Sequence, residues 1–198
     1  MTAPPPLPAE VLRRVQEYLA DVRESGHPEP TAMTLATASA EGRPSSRTVL
    51  LKGVTEHGFV FYTNLESRKG GQLSENPFAS LTFFFPAQAR QIQVEGPIER
   101  VPDEEADAYW ASRPRDSQLG GWASKQSREM EGRGELLRRV AEVAARHPIG
   151  DVPRPPFWSG FRLRPERLEF WTGKPFRLHE RELWVAEDGE WGMRRLFP

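Results

Sequence analysis

The chain has 198 residues, enough for one domain with a sizeable core and too few for a multidomain assembly. Its 27 Lys+Arg nearly cancel its 28 Asp+Glu, leaving a formal net charge of −1, so bulk attraction to nucleic acid or to an anionic membrane is not expected. No cysteine is present, which excludes disulfides, a thiolate nucleophile, iron–sulfur clusters and Cys-ligated zinc; redox chemistry would need an added cofactor.

No run approaches the roughly 18 apolar residues of a spanning helix, and Met1 to Ala9 has neither a basic nor an apolar leader region, so a soluble, unexported, cytoplasmic protein is expected. From Pro8 to Ser25, Val11, Leu12, Val15, Leu19 and Val22 follow helical spacing up to Gly26, which predicts an amphipathic helix. Short strand-like runs follow, separated by turn signals: Ala32 to Ala38, Arg47 to Lys52 and Phe59 to Thr63. Ser67 is placed to cap a helix ending near Asn76-Pro77, and strands resume over Ala79 to Phe85 and Arg90 to Glu99. Asp103 to Ser112 and Glu135 to Arg146 read as helices. The tail returns to strands at Trp158 to Leu163 and Leu168 to Trp171, with a hairpin around Asp188-Gly189. Strands outnumber helices without βαβ alternation, so a mainly antiparallel barrel with attached helices is expected.

No phosphate-loop, dinucleotide or nucleophile-elbow motif occurs, and His27, His57, His147 and His179 lack metal-site spacing, so no metal is expected. Three cationic clusters remain. Arg68-Lys69 stand at the start of a predicted helix, where the dipole disfavours cations unless an anion joins them; an exposed basic pair is the plainer reading. Tyr109, Arg113 and Ser117 are spaced by four, although Pro114 makes Arg113 the end of one helix and starts another turn at Asp116-Ser117. They converge on an anion, or are a core tyrosine beside a surface arginine. Alternation along a strand would send Arg177, His179 and Arg181 to one face, which is either a ligand face or a charged sheet edge.

In this order the clusters resemble the pyridoxamine 5′-phosphate oxidase family. The carrying segments are Arg47-Thr-Val-Leu-Leu-Lys52, Phe61-Tyr-Thr-Asn64 with Ser67-Arg-Lys69, Arg90-Gln91, Ser112-Arg-Pro-Arg-Asp-Ser-Gln118, Lys125-Gln-Ser127, Glu169-Phe-Trp171 and Arg177-Leu-His179. The resemblance implies a mainly β (α+β) fold, an antiparallel Greek-key FMN-binding split barrel with peripheral helices. It implies one domain over 1–198, with an N-terminal extension and helix at 1–30 and a C-terminal dimerisation and active-site region at 150–198. The chain would be a homodimer with FMN at the subunit interface. FMN contacts would be Arg47, Thr48, Val49, Leu50, Leu51 and Lys52 along one strand, with Tyr62, Thr63, Arg68 and Lys69, and then Gln91, Gln126, Ser127, Trp171 and Arg181. The phosphate of a B6 substrate would fall to Lys52, Tyr109, Arg113 and Ser117, with Arg177 and His179 as the catalytic pair that orients the pyridine ring.

The implied reaction oxidises pyridoxamine or pyridoxine 5′-phosphate to pyridoxal 5′-phosphate by hydride transfer to the flavin, with O2 reduced to H2O2. Two other readings remain: a sister flavin oxidase of another planar aromatic metabolite, as in phenazine biosynthesis, or a non-catalytic protein that binds FMN or pyridoxal phosphate.

Overall fold

Five side chains at helical spacing, Val11, Val15, Tyr18, Leu19 and Val22, bury one face of the first helix, α1 (Ala9–Glu24), against the sheet. Each large aliphatic side chain so buried contributes about 1.5–3 kcal/mol. The helix enters after Pro8 and stops at Ser25, where Gly26 takes the left-handed φ of 75° that a helix terminus favours. The computed structural model describes residues 4–198; the first three positions of the expected N-terminal extension lie outside the described residues.

Ten strands follow: β1 (Ala32–Ala38), β2 (Pro44–Leu50), β3 (Gly53–Thr55), β4 (Gly58–Asn64), β5 (Phe78–Phe85), β6 (Arg90–Arg100), β7 (Trp158–Leu163), β8 (Arg167–Thr172), β9 (Glu180–Glu187) and β10 (Glu190–Leu196). Their pairings are antiparallel, in the order β10-β9-β8-β6-β5-β1-β2, with β7, β4 and β3 branching from the far end of β6. Strand β6 makes this possible by changing partner along its length. Arg90 to Glu95 pair with β8, Ile98 to Arg100 pair with β7, and the opposite edge pairs with β5 from Arg90 to Pro97. The sheet curls until the chain just after β2 meets β4, where the Lys52 N–H donates to the Val60 carbonyl at 2.8 Å. Inside the curl lie Phe59, Phe61, Phe83 and Phe170 with Leu35, Leu81 and Ile92.

The remaining helices are α2 (Arg68–Glu75), α3 (Asp103–Ser112), α4 (Arg115–Ala123) and α5 (Arg133–Arg146). A second, smaller core joins α3, α4 and α5 to the start of β7 through Trp110, Leu119, Ala123, Val143 and Trp158.

Most expected elements appear near their expected bounds. As the proline requires, Arg113 ends α3 in an extended conformation (φ −76°, ψ 144°) and α4 begins just beyond Pro114. Three readings are corrected. The strand expected over Arg47 to Lys52 runs earlier, as β2. The short β3 and the full nine residues of α4 were not foreseen. Arg177 does not alternate with His179 and Arg181 on a strand. Pro175–Arg177 form a 3-10 turn, Phe176 and Arg177 both have positive φ (57° and 61°), and β9 starts only at Glu180.

Candidate functional site

The N-terminus of α2 is built by a cap and a close approach. The Ser67 hydroxyl accepts from the Gly70 N–H at 3.3 Å, and a Cβ at position 70 would stand 2.1 Å from the Leu65 carbonyl oxygen, so only glycine fits there. This geometry sets Arg68 and Lys69 at the positive end of the helix. Lys69 is buried, and its Nζ donates to Thr63 Oγ1 (3.1 Å), Ser67 Oγ (3.3 Å) and Gln126 Oε1 (2.9 Å). From β2, Arg47 donates through Nη1 to Thr37 Oγ1 (2.7 Å) and through Nη2 to Ser45 Oγ (2.6 Å).

Among the described residues Arg47, Arg68 and Lys69 have no carboxylate partner, and every acceptor holding Arg47 and Lys69 is neutral. Burial, reinforced by the Arg47 charge, pushes the Lys69 amine down to about 8. Burial and then the Arg68 charge lower Arg47 as well. Three convergent cations without a counter-charge are unfavourable in isolation, and an anion received there reverses the sign.

These cations form one end of a cavity of about 1000 Å3. The α3–α4 joint forms the other wall, with Tyr109, Arg113 and Ser117. The Arg113 guanidinium lies over Trp110 (4.9 Å) and Trp158 (5.0 Å), and its Nη1 is buried with no hydrogen-bond partner. Gly121 leaves room for this arrangement: a Cβ there would come within 2.9 Å of the Trp110 ring and 3.2 Å of Arg113 Nη1. Against Arg113 stands a parallel aromatic stack, Tyr62 on Tyr109 at 4.0 Å and 12°, and Tyr62 on Trp158 at 5.3 Å and 8°. Burial, then the Glu105 charge, pushes the Tyr62 hydroxyl up to about 12, which keeps it neutral at ordinary pH. Such a wall offers apolar faces to a planar ligand in a cavity with two places for anions.

Of the residues expected to hold a cofactor, Arg47, Thr48, Val49, Leu50 and Lys52 line the cavity, and so do Tyr62, Thr63, Arg68, Lys69, Gln126 and Ser127. Ser127 does so from a left-handed backbone, φ 70°. Leu51 does not line it. It lies just past the end of β2, where its side chain joins the hydrophobic core and its N–H donates to the Thr31 carbonyl.

Gln91, Trp171, Arg177, His179 and Arg181 also lie outside this cavity, on β6, β8, β9 and the turn before β9. In that region the His179 ring packs on Trp171 at 4.7 Å, and its Nδ1 accepts from the Lys174 N–H at 3.2 Å, which leaves the proton of a neutral ring on Nε2. Arg181 makes a two-pronged pair with Glu169, at 2.7 and 2.9 Å. The sequence reading missed Trp158, Ser45 and Gly121 in the cavity wall. An aromatic residue opening a strand reads as core, and nothing in its spacing marks a second role.

Comparison with known proteins adds the following. Residues 19–147 match the family described as pyridoxamine 5′-phosphate oxidase, and residues 158–198 match the pyridoxine 5′-phosphate oxidase C-terminal dimerisation region. The chain is 56% identical over 187 residues to a pyridoxine/pyridoxamine 5′-phosphate oxidase of Rhodospirillum rubrum, covering 92% of this chain and 93% of that one. It is 51% identical over 191 residues to the protein of that name from Azorhizobium caulinodans, covering 96% and 90%. Among solved structures, PhzG from Burkholderia lata in complex with tetrahydrophenazine-1-carboxylic acid superposes with a TM-score of 0.90 at 32% identity, covering 96% of this chain and 94% of that one. A related FMN-binding protein from Nostoc punctiforme shares the fold, with a TM-score of 0.74 at 20% identity, covering 94% and 96%.

Proposed function

The chain belongs to the pyridoxamine 5′-phosphate oxidase family, and from that premise we propose how its residues divide the work of the family's reaction. The protein is an FMN-dependent oxidase of pyridoxine and pyridoxamine 5′-phosphates. The carrying observation is the pair of anion-seeking regions in one cavity. One is the Arg47–Arg68–Lys69 cluster without a carboxylate, and the other is Arg113 with a buried, unpartnered Nη1. Two phosphate esters, one of the cofactor and one of the substrate, answer that description; a single-phosphate ligand does not.

FMN fits the first region. Lys69, Arg47 and Arg68, with the N–H groups at the start of α2, would hold its phosphate, with Gln126 and Ser127 beside them in the cavity wall. When bound, FMN would supply the two-electron acceptor for the hydride of the substrate's exocyclic carbon, with O2 as the final oxidant and H2O2 as its product. Arg113 grips the substrate phosphate as a fork held flat by Trp110 and Trp158, with Tyr109, Ser117 and Lys52 beside it. This grip fixes the pyridine ring relative to the cofactor, and orientation is what a redox cofactor leaves for the protein to supply.

Gln91, Trp171, Arg177, His179 and Arg181 complete the site from the second subunit of a homodimer in this reading. Two features support it. The segment that carries four of them matches the dimerisation region, and none of the five reaches the cavity of its own chain. Arg177 and His179 then orient the ring and steady its charge. The oxidised amine leaves as ammonia after hydrolysis, and the alcohol substrate gives the aldehyde directly. Pyridoxal 5′-phosphate is the product in both cases.

The test is an aerobic assay of the FMN-loaded protein with pyridoxamine and pyridoxine 5′-phosphates, following aldehyde and H2O2. Stoichiometric formation of both is expected. Turnover restricted to a phosphate-free planar substrate would favour a second reading, a phenazine-type oxidase, which the similarity to PhzG keeps in view.

A further inference from the structure

Behind the cation cluster lies a polar triangle of Gln72, Thr37 and Ser45, of which only Ser45 reaches the cavity wall, beside Arg47. Gln72, on the third turn position after Lys69 in α2, is 7% exposed. Its Oε1 accepts two hydrogen bonds, from Thr37 Oγ1 at 2.6 Å and from Ser45 Oγ at 2.7 Å. The same two hydroxyls accept the two Nη groups of Arg47, at 2.7 and 2.6 Å. The proton directions are therefore fixed. Arg47 has only donors, so each hydroxyl receives from Arg47 and must give its own hydrogen away. Gln72 Oε1 is the acceptor for both. The guanidinium is clamped at two nitrogens by groups that are themselves clamped by one amide oxygen.

A carboxylate would serve this geometry at least as well. Glutamate offers the same acceptor at the same reach and a stronger bond to each hydroxyl. It would also place a negative charge within one hydroxyl of Arg47 and cancel the field that the cluster directs into the cavity. We propose that Gln72 is a positioning residue for phosphate recognition: through the Thr37 and Ser45 hydroxyls it fixes the Arg47 guanidinium while leaving its charge free for an anionic ligand. Lys69 is held on the same plan by Thr63, Ser67 and Gln126. The inference rests on the reading that this cluster receives the FMN phosphate.

Equilibrium titration of apoprotein with FMN and with riboflavin, which shares the ring and ribityl chain but lacks the phosphate, separates the two claims. If wild-type protein binds both equally, the phosphate assignment fails. If it prefers FMN, the variants decide the inference. Gln72→Glu is expected to weaken FMN about tenfold or more with riboflavin affinity unchanged. Gln72→Leu, which releases both hydroxyls, should lower the FMN-to-riboflavin ratio without adding charge. A purely structural role would weaken both flavins in step and leave their ratio at the wild-type value, and that result overturns the proposal. Thr37→Val and Ser45→Ala each remove one arm of the clamp and guard against a failure of the Gln72 variants to fold. Each should reduce the ratio part of the way, and wild-type ratios in both would equally overturn it.

Discussion

The two ends of this molecule treat their cations in opposite ways. At the cavity, Arg47 and Lys69 are held by hydroxyls, an amide oxygen and a carbonyl, all neutral. On the sheet away from it, cations are matched to carboxylates. Arg181 pairs with Glu169 at 2.7 Å, Arg14 with Glu182 at 2.6 Å and Arg90 with Asp21 at 2.6 Å. Arg14 and Arg90 also lie over aromatic rings, Phe170 at 4.0 Å and Tyr18 at 4.3 Å. Arg14 and Arg90 are satisfied within the chain and serve the fold, and Arg181 carries its own counter-ion, Glu169, into the part proposed for it in the partner's site, whereas Arg47, oriented by neutral groups, still lacks a counter-ion and serves a ligand. The near-zero net charge of −1 conceals this segregation.

The strongest way to break the contrast is Lys69→Met. Removing the buried ammonium should weaken FMN on the order of 100-fold, since a hydrogen bond to a charged group contributes about 1.5–3 kcal/mol. Calorimetric titration of the apoprotein measures it. The same lysine sets a pH window. Its amine sits near 8 in the free protein, so FMN affinity should hold below pH 8 and fall by up to about tenfold per unit above it, as binding begins to take up a proton. The apoprotein should show the opposite trend. The unfolded chain binds more protons than the native one between about pH 8 and the ordinary lysine value of 10.5, so on this account stability rises across that interval. Both trends should vanish in Lys69→Met.

Next in size is Arg113→Lys, which keeps the charge and loses the fork and the stacking on Trp110 and Trp158. About a tenfold rise in KM for the phosphorylated substrate is expected, at the low end for a charged hydrogen bond. FMN content, read from the absorbance of the purified protein, should not change.

On the paired side, Glu182→Gln, which loses the carboxylate partner of Arg14, should leave the affinity of the FMN phosphate region alone and lower stability by about 1 kcal/mol, a shift of roughly 2–4 °C in Tm for a chain of this length. An effect on the FMN-to-riboflavin ratio as large as that of Lys69→Met would erase the distinction between the two regions. The smallest effect belongs to Glu17→Gln. The Arg13–Glu17 pair is exposed and spans 3.6 Å, and its loss should cost no more than about 0.5 kcal/mol by thermal unfolding.

Legibility in the sequence followed the strength of the local signal. Helices α1 and α5 announce themselves through apolar residues at helical spacing, and the β9–β10 hairpin through Asp188-Gly189. Helix α4 hides because Gly120-Gly121 are poor helix formers, and β3 because three residues carry no period. Arg68, Lys69 and Arg113 were visible in clusters and became specific through the family resemblance, which alone brought in Arg47 and Lys52. Gln72, Thr37 and Ser45 were not visible, since small polar residues read as surface until the fold brings three separate elements together. Arg177 misled because strand alternation over Arg177, His179 and Arg181 was assumed where the chain is still in the 3-10 turn begun by Pro175, and β9 starts only at Glu180.

Strand β6 carries a consequence for the making of the protein. Its residues Arg90 to Glu95 pair on one side with β5 and on the other with β8, and β8 begins only at Arg167, more than a third of the chain later. While a ribosome adds that intervening stretch, β6 has one satisfied edge and one open edge, with Phe83 and Ile92 in a core whose Leu168 and Phe170 do not yet exist. Open edges of this kind template wrong pairings, and long-range partners close slowly. The nascent chain is therefore most exposed to aggregation just before its last 40 or so residues emerge, the same stretch, 158–198, that matches the dimerisation region. Sheet completion and the surface for a second subunit arrive together at the end of synthesis.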